Sequence, residues 1–151
     1  MRAVTIRQPW ATLIALGAKR FETRSWATKH RGDIAIHAGK VIDKKACQHP
    51  EIEAILTKHG YLKPTDLPTG AVIATGVLIN CWQSFVQEDQ VILESAGKIK
   101  NINAFEELVG DYTEGRYAWE LEHMNILQNP VPTKGYLSLW HWDKNENEHP
   151  K

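Results

Sequence analysis

The sequence has little cysteine, no long apolar run and no net charge, and each shortage excludes a class of function. Two cysteines, Cys47 and Cys81, stand among apolar neighbours in 151 residues. They form neither a disulfide framework nor a metal-ligand spacing. The seven histidines include no HxxxH pair, so no metal and no cofactor are expected, and a reduced, cytoplasmic setting is the natural expectation. The longest apolar stretch, residues 71–79, is far short of the ~18 to 20 residues that a membrane helix needs. The N-terminus runs straight into patterned structure, so neither a membrane span nor a signal peptide is expected. The sequence also lacks a GxSxG elbow, a Walker loop and a GxGxxG turn, which removes the familiar serine hydrolase, nucleoside triphosphatase and dinucleotide classes.

What is present fits an ordinary globular chain of 17.2 kDa, 42% hydrophobic, with enough apolar residues for a single core. Residues 1–142 are expected to form that one domain, and residues 143–151 (DKNENEHPK) a polar tail. The zero net charge hides an asymmetry. Residues 1–60 hold 11 Lys and Arg against 5 Asp and Glu, whereas residues 61–151 hold 7 against 13. The basic excess is densest between Lys19 and Lys45, where a positive field suited to phosphate would arise if these residues share a side.

The pattern predicts a strand over residues 3–6, then a short helix begun by Gln8-Pro9, with Trp10, Leu13 and Ile14 on one face and Gly17 at its exit. Strands follow over residues 21–26 and 34–38. Asp43 caps a helix over residues 44–48, and Pro50 opens another with the stripe Ile52, Ile55, Leu56. A long β-rich run covers residues 71–85. Residues 86–110 turn polar, and Asn103 with Glu106 has the form of a capping box. Strands over residues 117–127 and 136–142 close the chain, the last placing Tyr136, Ser138, Trp140 and Trp142 on one face as barrel wall. Five or six strands with three or four short helices in mixed order predict an α+β fold, a small, mostly antiparallel, partly closed β-barrel with peripheral helices.

The richest chemistry lies in Gln8-Pro9-Trp10 and in the run from Gly17 to Trp26. A lysine beside Arg20 or Arg24 in a dry cleft is poorly stable as the cation, which makes Lys19 a candidate base or nucleophile. Glu22 can accept from a nucleobase amino group or move a proton. Arg24 suits phosphate or carboxylate through its planar fork. Trp26, among basic residues, is the best indole for stacking on a base. His37, and Arg116 with Tyr117 at the mouth of a later strand, are further candidate contacts. On a regular strand Glu22 and Arg24 share one face and Thr23 the other.

These residues resemble the ASCH (activating signal cointegrator homology) domain of the PUA-like superfamily. The resemblance rests on Ile6-Arg7-Gln8-Pro9-Trp10-Ala11, on Gly17-x-Lys19-x-x-Glu22-x-Arg24-x-Trp26, on the stretch from Arg31 to Ala38, on Gly115-Arg116-Tyr117-Ala118-Trp119, and on the closing Gly135 to Trp142. It implies a PUA-like barrel whose cleft, beside the first helix, associates with RNA or a modified nucleoside. Some small members are amidohydrolases that deacylate N4-acetylcytidine with a Lys, a Thr and a Glu, and another is described as a ribonuclease. By that spacing Lys19 matches the catalytic lysine, and the threonine position is Glu22, with Thr23 next to it. Either a bulge presents Thr23 to the cleft or Glu22 faces it directly. Glu107, Asp111 and Glu114 are candidates for a second carboxylate. The implied activity is hydrolysis of N4-acylated cytidines, set against a non-catalytic RNA reader and a metal-independent ribonuclease.

Overall fold

The computed structural model describes residues 1–143. Most of the expected polar tail therefore lies outside the described residues. The elements run β1 (Arg2–Gln8), α1 (Trp10–Ala15), β2 (Phe21–Arg24), β3 (Gly32–Ile42), α2 (Lys44–Cys47), α3 (Pro50–Lys58), a 3-10 turn (Pro64–Asp66), β4 (Ala71–Gln87), β5 (Gln90–Ser95), β6 (Lys98–Asn101), α4 (Ala104–Leu108), β7 (Tyr117–Pro132) and β8 (Leu139–His141). The fold is α+β, as expected. The strands join one eight-stranded sheet with the path β2-β7-β4-β3-β1-β8, and the β5–β6 hairpin extends from β4. Among the described residues only β1 and β3 pair in parallel.

Two strands exceed the expected number because residues 86–110 conceal the β5–β6 hairpin. Its turns use residues with positive φ, Glu88 at 49°, Asp89 at 62°, Ala96 at 50° and Gly97 at 81°, which is the backbone a two-residue hairpin loop requires. The last strand is shorter than expected. Ser138, at φ 56°, interrupts the extended backbone just before β8 begins at Leu139.

The sheet does not close into a barrel. β8 pairs with β1 only at Arg2, Ala3 and Val4, so from Thr5 onward that edge of β1 has no neighbouring strand among the described residues. β2 stands at the other end of the path. Two apolar layers flank the sheet. Val4, Ile6, Ile34, Ile36 and Trp119 form the inner core with Ile14 of α1, and Ala3, Ala35, Val72, Trp140 and Trp142 form a second cluster on the opposite face. Strand alternation explains the division, since neighbouring residues on β1 and β3 point to opposite faces. Helix α1 bridges to a third cluster through Leu13, which meets Ile52 and Leu56 of α3 and Val109 after α4.

Candidate active site at the open seam

The gap between β1 and β2 is a cleft of about 530 Å³, within the ~300–1,000 Å³ typical of small-molecule sites. Its walls are the end of β1, Trp10 of α1, the run from Glu22 to Trp26, and the turn from Leu108 to Asp111.

Lys19 reaches this cleft because α1 ends in a tight reversal. Gly17 takes φ 77°, a conformation glycine adopts without penalty at a helix exit. The amides of Ala18 and Lys19 both donate to the Leu13 carbonyl at 3.0 Å. The side chain of Lys19 then turns inward and is 2% exposed. Its Nζ donates to the Val109 carbonyl at 2.8 Å, one of the carbonyls left free where α4 ends. Burial lowers the Lys19 pKa below the ordinary lysine value, opposed by the carboxylates of Glu22 and Glu106.

Strand β2 pairs with β7 in unbroken antiparallel register, Phe21 opposite Glu120 through Arg24 opposite Tyr117. With no bulge, Glu22 and Arg24 share one face and Phe21 and Thr23 the other. Phe21 fills an outer apolar cluster with Trp82 and Tyr112. Thr23 stays at the cleft rim, where its Oγ1 accepts the Asp111 amide at 3.0 Å.

Arg24 is the hub of the seam. Its Nε and Nη2 both lie 2.9 Å from Glu22 Oε2, and Nη2 also donates to the Thr5 carbonyl at 2.9 Å. The guanidinium thus spans from β2 to the unpaired edge of β1, where a backbone ladder would stand in a closed barrel. It lies 5.4 Å from the Trp26 ring centroid and 6.0 Å from that of Trp119, distances at which a cation is attracted to an aromatic face. Arg116 completes the rim, its Nε donating to the Asp111 carbonyl at 3.1 Å and its Nη2 to the Thr23 carbonyl at 3.3 Å.

The other expected contacts are dispersed. Gln8 is fully buried, donating from Nε2 to the Pro68 carbonyl at 2.8 Å and accepting the Thr12 amide at 3.0 Å. Pro9 is the N-cap of α1. Tyr117 packs on the inner core. His37 lies on the opposite face of the sheet from Ile36. Its Nε2 meets the Thr133 carbonyl at 2.8 Å and its Nδ1 meets Thr5 Oγ1 at 3.1 Å. A carbonyl only accepts, so Nε2 carries a proton; in the neutral ring Nδ1 then accepts from the Thr5 hydroxyl, which also faces the Tyr136 carbonyl at 3.4 Å and takes the Trp140 indole N–H at 3.2 Å. Burial lowers the His37 pKa, consistent with this neutral form.

Glu106 is the carboxylate that sequence reasoning missed. Asn103 caps α4 as expected, accepting the Glu106 amide at 2.8 Å, but the Glu106 side chain does not reach back to the cap. Its Oε2 accepts the Arg20 amide at 2.7 Å instead, and its buried Oε1 has no hydrogen-bond partner among the described residues. Burial raises the Glu106 pKa, against the pull of the Arg20 amide and Lys19. The Tyr112 hydroxyl, also buried and unpartnered among the described residues, has its pKa raised by burial and then by Glu106 and Glu22. Lys19, Glu22 and Glu106 are thus a buried amine and two buried carboxylates within electrostatic reach of that amine. Asp111 lines the cleft, whereas Glu107 and Glu114 are exposed. Among the described residues no three His, Cys, Asp or Glu side chains gather to hold a metal ion, and no helix is long and apolar enough to cross a membrane.

The sequence matches the profile of the ASCH domain over residues 4–131. The chain belongs to the ASCH domain family. It is similar to activating signal cointegrator 1 of Homo sapiens, 35% identical over 80 residues, and to that of Mus musculus, 33% identical over 84 residues. Each match covers 52% of this chain and 14% of the relative, so the chain spans about one-seventh of the length of these proteins. The crystal structure of ASCH from Zymomonas mobilis shares the fold, with a TM-score of 0.52 over 97% of this chain and 90% of that one, at 14% identity. Lys19, Glu22, Arg24 and Trp26, which stand out in the sequence as a short run of unusual types, all line the seam cleft.

Proposed function

We propose that this ASCH domain binds a ribonucleoside in the seam cleft and hydrolyses the acyl group from N4-acetylcytidine or a related N4-acylated cytidine. The observation that carries the reading is the buried Lys19 amine on the wall of a cleft of nucleoside size, within electrostatic reach of the Glu22 and Glu106 carboxylates. A surface lysine gains nothing from such burial, whereas a base that works near neutral pH requires it. In the proposed reaction water adds to the acyl carbonyl. Lys19 takes the proton from water and returns it to the departing N4, so that N4-acylcytidine and water become cytidine and a carboxylic acid. Glu22 holds Lys19 electrostatically and Arg24 orients the substrate. Trp26 supplies the stacking face, Trp10 and Arg116 supply the walls, and Thr23 contributes from the rim through the Asp111 amide.

The assay is mass-spectrometric detection of cytidine after incubation with a panel of N4-acylcytidines. Wild type releases cytidine and Lys19→Met does not. Wild-type protein inert toward the whole panel would refute the reaction. A non-catalytic RNA reader is favoured by one observation, that Glu22 and Lys19 are already engaged by Arg24 and the Val109 carbonyl; it would retain salt-sensitive RNA binding without turnover. RNA fragmented in chelator by wild type would favour the ribonuclease instead.

A further inference from the structure

Beyond Arg24 and Trp26 the cleft continues into a second hollow of about 1020 Å³, and Thr5, Arg24 and Trp26 line both. Its floor is Thr5 with His37. One side carries Lys40, and the other is the segment 133–138. The lining includes Arg24, Lys40 and Lys134 and no carboxylate. Glu22, 2.9 Å from Arg24, offsets the charge of that guanidinium, so the positive field that favours anions in the hollow comes from Lys40 and Lys134.

Two exposed aromatic side chains border the hollow, Trp26 at 40% and Tyr136 at 56% exposure. Both are braced from beneath. Trp119 meets Trp26 edge-on at 6.2 Å, and Trp140 meets Tyr136 at 5.4 Å. Lys134 Nζ sits 5.8 Å from the Tyr136 ring centroid. The segment carrying Tyr136 is fastened to the floor by the His37 bond to the Thr133 carbonyl. It lies so close that a Cβ on Gly135 would stand 2.6 Å from both His37 Cε1 and Thr5 Oγ1. Fixed aromatic platforms interleaved with amines are what a single nucleic-acid strand uses, bases stacking on rings while phosphates meet cations.

Building on the reading of the first cleft as a nucleoside site, we infer that the second hollow binds the nucleotide adjoining the base held at the seam. The ligand is then single-stranded RNA rather than a free nucleoside. The strand passes Arg24 between the two hollows, with Tyr136 stacking on the neighbouring base and Lys40 and Lys134 holding its phosphates.

The test compares free cytidine with a pentaribonucleotide carrying a central cytidine, measured on wild type, Tyr136→Ala and the pair Lys40→Glu with Lys134→Glu. Calorimetry reads the nucleoside and fluorescence anisotropy the strand. Each variant is expected to weaken the pentamer about tenfold or more while leaving cytidine affinity within about twofold. The paired lysine variant should also make the salt slope shallower by about 0.7 for each phosphate that is no longer neutralised. Pentamer affinity unchanged in both variants would overturn the inference, as would parallel loss of pentamer and cytidine, or tighter binding of the matching DNA pentamer. A pentamer that depends on Tyr136 in a protein that does not bind cytidine would support the second hollow and refute the nucleoside reading of the first.

Discussion

Replacing Arg24 by alanine tests the physical basis of the open seam. The guanidinium side chain is 19% exposed and the Glu22 side chain 11%, so the pair is largely removed from water. Truncating Arg24 leaves Glu22 with only the electrostatic attraction of Lys19, against a cost of roughly 3–5 kcal/mol for a fully buried and wholly unpaired charge. Residual exposure places Arg24→Ala near the lower end, and loss of the bond to the Thr5 carbonyl adds about 1 kcal/mol. The expected total is about 4 kcal/mol, a large share of the ~5–15 kcal/mol that holds a domain folded. At this chain length it corresponds to a fall in Tm of roughly 8–16 °C. Arg24→Lys keeps the charge but lacks the planar fork, cannot serve Glu22 and Thr5 together, and should cost about 1–2 kcal/mol. Urea denaturation of wild type, both Arg24 variants, Glu22→Gln and the Arg24→Ala/Glu22→Gln pair completes a double-mutant cycle. The double variant should be more stable than Arg24→Ala alone, because it no longer buries an unpaired charge. Arg24→Ala within about 1 kcal/mol of wild type would refute the bridging role.

Stability should rise with pH through the window between the lowered Lys19 pKa and the ordinary lysine value of 10.5, because the unfolded chain holds a proton there that the folded chain does not. Lys19→Met should lack that rise in denaturation series at several alkaline pH values. On the acid side His37, whose folded pKa lies below 6.5, should cost stability as pH falls below that value. His37→Gln should lose this acid component, read as the difference between the two proteins' urea midpoints. Glu106→Ala leaves the Arg20 amide without its acceptor and should cost about 1–3 kcal/mol by urea denaturation. Gly135→Ala forces the segment 133–138 off Thr5 and His37 and should cost about 1–3 kcal/mol by the same measurement.

The start of the fold was legible because local chemistry specifies it. Pro9 begins α1, Gly17 ends it, and Asp43 and Asn103 cap their helices through bonds seen in the structure. The β5–β6 hairpin was not legible, since its buried face is carried chiefly by Leu93 and its turns are Glu88-Asp89 and Ala96-Gly97 rather than Asn-Gly. The open seam was equally hidden, because it depends on β8 pairing with only three residues of β1 and on one arginine spanning the remainder. At the site, Lys19, Glu22, Arg24 and Trp26 stand out as a short run of unusual types. Glu106 does not, because Asn103-x-x-Glu106 has the form of a capping box and nothing local reveals that its carboxylate is drawn to the Arg20 amide. The Val109 carbonyl that receives Lys19 lies ninety positions away, a distance that no local pattern spans. Alternation predicts Tyr136 on a strand beside Trp140; the two rings do meet, but the turn at Ser138 takes Tyr136 off the strand and to the edge of the second hollow.

The desolvated amine at the seam is tested most directly by NMR titration of Lys19 labelled at its side chain, with and without cytidine. The expected result is a Lys19 resonance that titrates below the ordinary lysine range and shifts when cytidine fills the cleft. A Lys19 that titrates like a surface lysine and does not respond to cytidine would contradict both its burial and its role.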